Sequence, residues 1–242
     1  MSTCDYAWLG RVEYLEAWEY QRKLARRRAL GEIPDTLLLL EHPPVFTTGR
    51  RGPGDNLRLP EATLGAPLIE ADRGGDITFH GPGQLIAYPI VELRQAGLSV
   101  VSYVRNLEAV IIHTLREYRI GGHTECGLTG VWVGEPETGA KIAAIGVRAG
   151  KPAGVGGGWV TTHGLALNVT VDLAWFARIV PCGIADRPVT SIQALTGEAT
   201  PLPRVAERLA VQFGEVFGRE MHLNAALQSA APRVLAPGSA VR

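Results

Sequence analysis

The sequence predicts an α/β (α+β) fold, in which a mixed, mostly antiparallel sheet is flanked by helices. Three segments show hydrophobic residues at helical spacing, and short strand-like runs lie between them. Glycine (29 residues) and proline (16 residues) together exceed their average share in a globular chain of 242 residues. We therefore expect many short strands that are joined by tight turns.

The three long helices are predicted over residues 12–30, 99–121 and 204–217. In the first of them, Tyr14, Trp18 and Gln21 share one face, and Gly31 is a natural stop. In the second, Ser99 precedes an apolar periodic run and is a suitable N-cap. We expect these helices to cover the sheet.

The predicted strands are short apolar or alternating runs, and a further short helix follows the last of them. The strands cover residues 36–40, 67–72, 76–80, 84–91, 129–133, 141–148 and 161–169, and the short helix covers residues 173–178. The runs 129–133 and 141–148 flank a glycine-containing loop, which predicts a hairpin. We expect residues 1–223 to form a single domain and residues 224–242 to be a flexible C-terminal tail.

Charge and cysteine content exclude several classes of protein. Basic and acidic residues number 24 each, so a broad surface for nucleic acid is not expected. No apolar run approaches the roughly 18 residues of a membrane span, and no signal peptide is visible, so we expect no membrane association. Three sparse cysteines fit a reducing compartment. We expect a cytoplasmic protein.

Cys182 is the first candidate for chemistry, because it lies between Pro181 and Gly183 in a predicted turn. A turn presents its side chains outward, and the following glycine allows a ligand to approach the backbone. The thiol could then act as a nucleophile, with nearby N–H groups binding an oxyanion. A small, buried, structural cysteine is the alternative interpretation.

Lys141 is the second candidate, because it opens an otherwise apolar strand that ends at Arg148. Its side chain could extend to solvent. Alternatively, its ammonium could point into a cleft, where it would lower the pKa of a thiol or act as a base. A free thiol has a pKa of about 8.5, so a cysteine nucleophile needs such a partner.

Two further segments carry polar side chains between glycines. Residues 73–84 place an arginine, a histidine and four glycines around one strand, which suits a ligand's carbonyl or phosphate group, although a hairpin without a ligand has the same composition. His163 opens another strand and could be structural. The spacing of His113, His123 and Cys126 matches no standard zinc pattern, so no metal site is predicted.

Taken together, these residues resemble the lipoyl(octanoyl) transferase family, whose members are octanoyl-[acyl-carrier-protein]:protein N-octanoyltransferases of lipoate biosynthesis. Five stretches, which occur in the family's order and span most of the chain, carry the resemblance. They are LLLEHP at 38–43, RGGDITFHGPGQL at 73–85, KIAAIGVR at 141–148, THGLALN at 162–168 and IVPCGI at 179–184. The loop at 150–158 is longer than the family's turn.

The resemblance implies a fold shared with the catalytic domains of lipoate and biotin protein ligases. It also implies that Cys182 becomes acylated, with Lys141 as its catalytic partner. His80 and His163 are expected to line the pocket in roles that the sequence does not assign. The residues that the resemblance places around the acyl substrate are Arg73, Gly74, Gly75, Asp76, Ile77, Thr78, Phe79, His80, Ala144, Ile145, Gly146, Gly164, Leu165 and Ala166.

The expected reaction is a two-step octanoyl transfer that needs neither a cofactor nor ATP, because the donor is already a thioester on the phosphopantetheine of acyl carrier protein. The expected recipients are lipoyl domains of 2-oxoacid dehydrogenase E2 subunits and the glycine cleavage H protein, and the enzyme is expected to act as a monomer. Two alternatives remain at this point. They are an ATP-dependent lipoate or biotin ligase and a non-catalytic acyl-binding protein.

Overall fold

The computed structural model describes residues 2–231 except 53, 55, 182, 183, 185 and 186. The strands are β1 (Ser2–Arg11), β2 (Asp35–Glu41), β3 (Val45–Thr48), β4 (Leu68–Glu70), β5 (Thr78–His80), β6 (Gln84–Ile90), β7 (Gly122–Glu125), β8 (Leu128–Val133), β9 (Ala140–Gly150), β10 (Val160–Asn168) and β11 (Arg219–Leu223). The helices are α1 (Tyr14–Ala29), α2 (Val100–Arg116), α3 (Ile192–Thr196), α4 (Leu202–Phe217) and α5 (Ala225–Ser229), with 3₁₀ segments at Glu61–Thr63 and Leu173–Arg178.

Eight strands form the main sheet in the order β11-β1-β2-β6-β10-β9-β8-β7. Strand β1 is parallel to both of its neighbours, and every other adjacent pair in this sheet is antiparallel. A small second sheet has the order β4-β3-β5. The expectation of a mixed, mostly antiparallel sheet with flanking helices is confirmed, and β8 and β9 pair as the predicted hairpin.

Apolar side chains are buried on both faces of the main sheet. On one face, a core cluster joins strand residues such as Leu85 and Leu167 to Leu107 of α2 and Leu209 of α4. On the other face, Leu24 of α1 packs in a cluster with residues of β1, β2 and β6. Strands β6 and β10 lie in the middle of the sheet, so helices cover both of their faces and every residue of both strands is buried.

Helix α2 begins where the sequence places its cap. Ser99 accepts a hydrogen bond from the backbone N–H of Ser102, and the Ser102 hydroxyl lies 2.9 Å from the backbone nitrogen of Ser99, which donates to it. This reciprocal capping box satisfies two backbone groups that the first turn of a helix leaves free. No helix among residues 2–231, the six gaps excepted, is long and apolar enough to cross a membrane.

The structure adds four strands that the sequence analysis did not predict: β1, β3, β7 and β11. The first residues of the expected flexible C-terminal tail form a helix instead. Residues 225–229 form α5, where Leu227 is buried in the core cluster that contains α1, and its carbonyl accepts a hydrogen bond from the Tyr20 hydroxyl at 3.0 Å. Residues 232–242, the rest of that predicted tail, lie outside the described residues.

Candidate active site

Two adjoining cavities border strands β9 and β10, and we refer to them together as the central cleft. They share the wall residues Thr78, Ala144 and Ala166. One cavity contains Lys141 and Pro181, and the other contains His163. The cleft therefore has a Lys141 end, near the start of β9, and a His163 end, near the start of the antiparallel strand β10.

The register of β9 and β10 brings small residues together along the cleft. Ala144 pairs with Ala166, and Gly146 pairs with Gly164. A side chain at Gly146 would meet the Gly74 carbonyl oxygen at 3.0 Å, so the close approach of the 73–75 backbone requires a glycine there. Ile145 and Leu165 also border the cleft, while both belong to the core packed under α2 and α4.

In the last four residues of the predicted segment 73–80, the side chains alternate between the cleft and an apolar cluster. Thr78 and His80 line it, whereas Ile77 and Phe79 are buried in a separate apolar cluster under the small sheet. Phe79 stacks on Trp175 at a centroid distance of 4.9 Å. Successive side chains of a strand point to opposite faces, so the Ile77 and Phe79 side chains pack on the side opposite to Thr78 and His80.

The glycine pair in this segment shapes the wall through its backbone. Gly75 adopts a φ of 89° and borders the cleft beside Asp76. Gly74 donates its N–H to the Val147 carbonyl at 2.9 Å, so it ties the segment to the edge of β9, and it is not among the residues bordering the cleft.

Arg73 is a buried cation that braces the backbone around the cleft. Its guanidinium donates to the Thr47 carbonyl at 2.6 Å, to the Thr47 hydroxyl at 2.7 Å and to the Asp76 carbonyl at 2.8 Å. Arginine has five N–H donors, so one side chain can bond to all of these acceptors. Arg73 thus borders the cleft while holding two segments of its wall together.

His80 borders the His163 end of the cleft, the ring centroid of His42 lies 5.9 Å from that of His80, and both rings are neutral at physiological pH. His42 donates from Nδ1 to the Val12 carbonyl at 2.6 Å and accepts at Nε2 from the Tyr88 hydroxyl at 2.8 Å. Burial lowers the pKa of His42 to about 4, and burial likewise places the pKa of His80 well below its usual value. His80 donates from Nδ1 to the Gln84 side-chain oxygen at 2.8 Å.

His163 closes this end of the cleft and bonds to Asp72. Its Nε2–H donates to the Asp72 carboxylate at 2.8 Å, and Arg148 pairs with the other oxygen of that carboxylate at 2.9 Å. Burial lowers the pKa of His163, although the Asp72 carboxylate opposes that shift. The imidazole is therefore neutral at pH 7, in spite of its acidic neighbour.

The structure resolves the alternatives for Lys141, because its side chain is 6% exposed and lies at the cleft rather than in open solvent. Its Nζ lies 5.1 Å from the centroid of the Trp132 ring, within the range of a cation–π interaction. Within the described part of the chain, no carboxylate lies within 4 Å of this ammonium. Its charge is thus not neutralised there by an ion pair.

The backbone around Lys141 is fixed on both sides. Its N–H donates to the Pro188 carbonyl at 2.8 Å, and its carbonyl accepts from Thr190 at 2.9 Å. Since this N–H is already engaged, it is not an oxyanion donor. Gly130 adopts a φ of 126°, and a side chain there would meet the Lys141 Cε at 2.8 Å, so the lysine stem packs directly against that glycine.

Cys182 and Gly183 lie outside the described residues, but their neighbours Pro181 and Ile184 do not. Pro181 borders the same cavity as Lys141. The Ile184 N–H donates to the Pro181 carbonyl at 3.1 Å. The chain therefore enters the Cys182 segment at the Lys141 end of the cleft.

Tyr14 and Tyr88 line the cleft and were not predicted as site residues. Burial raises the pKa of Tyr14 to about 12, so its phenol stays protonated. The sequence predicts that Tyr14 lies on one face of the first helix. Nothing in the sequence distinguishes a tyrosine that faces a cleft from one that is buried in a core. Among the described residues, no group of three His, Cys, Asp or Glu side chains could hold a metal ion.

This fold and cleft match a known class of proteins. Residues 13–214 match the family model "Lipoyl protein ligase A/B catalytic domain". The chain therefore belongs to the lipoyl protein ligase A/B catalytic-domain family. It is 48% identical over 228 residues to an octanoyltransferase of Chloroflexus aurantiacus, which covers 93% of this chain and 99% of that protein. Within the class, it is thus an acyltransferase of the octanoyltransferase family.

A further relative agrees with this assignment, and two solved structures share the fold. An octanoyltransferase of Rubrobacter xylanophilus is 48% identical over 213 residues, 86% of this chain and 91% of that protein. A putative lipoate protein ligase from T. acidophilum superposes with a TM-score of 0.68 at 15% identity, over 95% of this chain and 93% of that one. A biotin protein ligase from Aquifex aeolicus gives 0.52 at 16% identity, over 88% and 70%. These two likenesses confirm the shared fold.

Proposed function

We propose that this protein transfers an octanoyl group from acyl carrier protein to a lysine of lipoyl domains, in lipoate biosynthesis, through a thioester on Cys182. The observation that carries this proposal is the Lys141 end of the central cleft. There a buried ammonium without a carboxylate partner in the described residues borders the same cavity as Pro181, the residue before Cys182. The octanoyltransferase relatives support octanoyl as the group that is transferred.

In the first step, the Cys182 thiolate attacks the carbonyl carbon of the octanoyl thioester. The pantetheine sulfur leaves as a thiolate and takes up a proton, and the octanoyl group remains on Cys182. Lys141 supports this step by its positive charge, which favours the thiolate form of a nearby cysteine. Because one thioester replaces another, we propose that neither a nucleotide nor a metal takes part.

In the second step, the amine of the recipient lysine attacks the acyl-enzyme. The amine must lose a proton before or during the attack, and the Cys182 sulfur leaves as a thiolate. Lys141 gives its own proton to the leaving pantetheine thiolate in the first step and so accepts the proton of the amine in the second, since a lysine ammonium can be deprotonated where a guanidinium cannot. The N–H of Lys141 donates to Pro188, so a backbone amide other than this one would have to bind the oxyanion.

The His163 end suits the acyl chain, because its histidine rings are neutral and hydrogen-bonded. His80 bonds to Gln84, and Arg73, a cation that borders that cavity, is turned onto backbone carbonyls. Small residues such as Ala144 and Ala166 leave space between the two strands. An alkyl chain there would leave water without separating any of these polar groups from its partner.

The acyl carrier protein donates the group through its phosphopantetheine arm, and the recipients are lipoyl domains of 2-oxoacid dehydrogenase E2 subunits and the glycine cleavage H protein. One structural neighbour, with a TM-score of 0.67 at 15% identity, is described as a bipartite lipoate protein ligase of Thermoplasma acidophilum with its E2 lipoyl domain. We extend that kind of recipient to this chain, and we propose that the enzyme acts as a cytoplasmic monomer.

Intact-mass spectrometry after mixing with octanoyl-acyl carrier protein tests the intermediate. We expect one octanoyl adduct, which Cys182→Ala removes and which Cys4→Ala and Cys126→Ala retain. Cys4 is a suitable control because it is fully buried and burial raises its pKa far above the usual value, whereas Cys126 is exposed. An adduct on either control cysteine would contradict the proposal.

A second measurement separates the transferase from the ATP-dependent ligase of the same fold. The acyl transfer is followed with apyrase or a chelator present, and in a parallel reaction with free octanoate plus ATP. We expect full activity in the first two reactions and none in the third. Activity that requires ATP would instead assign the ligase reaction to this chain.

A further inference from the structure

The backbone of His163 is in an unusual conformation for its place in a strand. Its φ is 56°, in the left-handed region that residues other than glycine rarely adopt. The neighbouring Leu165 packs in the core on the α2 and α4 side of the sheet, while Ala166 packs on the α1 side. Regular alternation would place residue 163 on the same side as Leu165.

The His163 ring nevertheless lies on the α1 side. Its centroid is 5.6 Å from that of Trp18 on α1 and 6.2 Å from that of Tyr88, which packs in the α1-side cluster. The positive φ thus turns the imidazole across the sheet, in a backbone conformation that is unfavourable for a residue other than glycine. A conformation of this kind persists only where the surroundings hold it.

Two hydrogen bonds fix the residue in this position. The His163 backbone N–H donates to the Gln21 side-chain oxygen at 2.6 Å, and Nε2–H donates to Asp72 at 2.8 Å. The residue is 1% exposed. The imidazole is therefore a fixed part of the wall rather than a mobile side chain.

The wall separates the central cleft from a second cavity on the same face of the sheet. His163 borders the cleft, while Asp72, Arg148 and Thr162 border this outer groove. The volume of the cleft cavity at His163 is about 40 Å³, and that of the outer groove is about 330 Å³. Free space thus exists directly beyond the His163–Asp72 pair.

We propose that His163, held by Asp72 and Gln21, is the residue that limits the length of the acyl chain. The inference rests on the proposed function, since it assumes that the acyl chain runs from the Lys141 end toward His163. From Lys141 to Val147, which pairs with His163, β9 rises by six residues, about 20 Å. The Lys141 side chain, the thioester and the alkyl chain must fit within that distance, and the His163 imidazole lies at its far end.

Shortening this side chain should let longer chains pass into the outer groove. His163→Asn is the first variant, because asparagine tolerates a positive φ better than most residues. Burial of each methylene is worth about 0.8 kcal/mol, so each pair of methylenes that the wall excludes corresponds to a roughly tenfold or larger change. We expect the decanoyl-to-octanoyl ratio of kcat/KM to rise at least tenfold.

The experiment measures acylation of Cys182 with hexanoyl, octanoyl, decanoyl and dodecanoyl thioesters of acyl carrier protein. The wild-type enzyme and His163→Asn are compared with His123→Asn, a matched change at a histidine on β7 that is outside the cleft. We expect the chain-length profile of His123→Asn to equal that of the wild type. If His163→Asn does not fold, Asp72→Ala removes the anchor of the ring and should broaden the profile in the same direction.

The outcomes separate the two proposals. A folded, active His163→Asn enzyme with a wild-type chain-length profile would overturn the role of His163 and leave the proposed function intact. If the wild-type enzyme forms no adduct on Cys182 with any thioester, the proposed function itself is wrong. A uniform loss of rate for all chain lengths would also overturn the length limit, because a merely structural role predicts that pattern.

Discussion

The two ends of the central cleft differ in what their charged groups contact. At the His163 end, Arg73 and His163 bond to fixed partners in the protein, and burial keeps the imidazole neutral. At the Lys141 end, a buried ammonium lies over Trp132 and, among the described residues, has no carboxylate beside it. A group whose partners are already in place shapes a pocket, whereas a charge without a counter-ion can act on a reacting thiol.

Substitution of Lys141 should have the largest effect, since it removes the charge that defines its end of the cleft. Proton transfer by a positioned side chain contributes about 10²–10⁴-fold. We expect Lys141→Ala to slow acyl transfer by that order and to raise the pKa of the Cys182 thiol. Lys141→Arg keeps the charge but holds its proton, so it should retain more thiolate than Lys141→Ala and still transfer poorly.

A pH profile of Cys182 alkylation, beside single-turnover transfer from preformed acyl-enzyme, measures the two roles of Lys141 separately. The double variant with Cys4→Ala and Cys126→Ala in the background restricts alkylation to Cys182. Wild-type alkylation profiles in both Lys141 variants would remove the lysine from the surroundings of the thiol. Normal transfer by Lys141→Arg would leave charge as its only role.

Acid should destabilise the His163 end through His42. The folded-state pKa of His42 is about 4 because of burial, against about 6.5 for an unfolded histidine. A lowered pKa means that protons bind the unfolded chain more tightly, so the stabilisation is present above pH 6.5 and is lost as the pH falls toward 4. The expected loss from this residue is about 3 kcal/mol in the free energy of unfolding.

Urea unfolding between pH 7.5 and pH 4.5 checks this prediction. We expect His42→Gln to reduce the loss in the free energy of unfolding between pH 7.5 and pH 4.5, while His222→Gln on the exposed edge strand β11 should leave that loss unchanged. His80 and His163 also have lowered pKa values, so part of the loss should remain in His42→Gln. Equal slopes for His42→Gln and the wild type would show that His42 is not the titrating group.

Many of the strands were predicted from the sequence, and the exceptions have physical reasons. Strands such as β6 and β10 are buried on both faces, so their apolar runs were readable. Strand β11 is largely exposed and polar, and it exists as a strand through its parallel pairing with β1, which no local pattern encodes.

The site was predicted to the level of segments rather than side chains. Lys141 and the 73–80 segment do border one cleft. The alternation of β5 sends Phe79 into the apolar cluster instead, and the sequence does not say which of the two faces of a buried strand meets the cavity. The positive φ of His163 was equally invisible, because only the tertiary contacts of Gln21 and Asp72 hold it.

Gly130 offers a way to disturb the Lys141 end without changing the lysine. Gly130→Ala places a methyl group 2.6 Å from the Ala143 carbonyl oxygen and 2.8 Å from the Lys141 Cε, at a φ of 126°. We expect a loss of about 1–3 kcal/mol in stability and a displaced ammonium that slows Cys182 alkylation. Gly127→Ala is the matched control, since its φ is 76° but nothing lies within 4 Å of the added methyl group. Equal alkylation rates in the two folded variants would contradict this prediction.

Substitution of Trp132 should have the smallest effect on Cys182 alkylation. It measures how much the indole ring contributes to holding the Lys141 ammonium in place. The ring is fully buried, with Lys141 at 5.1 Å and Arg187 at 4.4 Å from its centroid. A cation–π contact is worth about 0.5–2 kcal/mol, and the indole face is a better partner than a phenyl face.

Trp132→Phe keeps a weaker aromatic face and should slow Cys182 alkylation at neutral pH a few-fold. Trp132→Leu removes the face and should slow it further, with a thiol pKa closer to that of Lys141→Ala. Thermal melts of both variants separate this effect from the cavity that either change creates. If leucine and phenylalanine give the same alkylation profile in folded proteins, packing rather than the aromatic face positions Lys141.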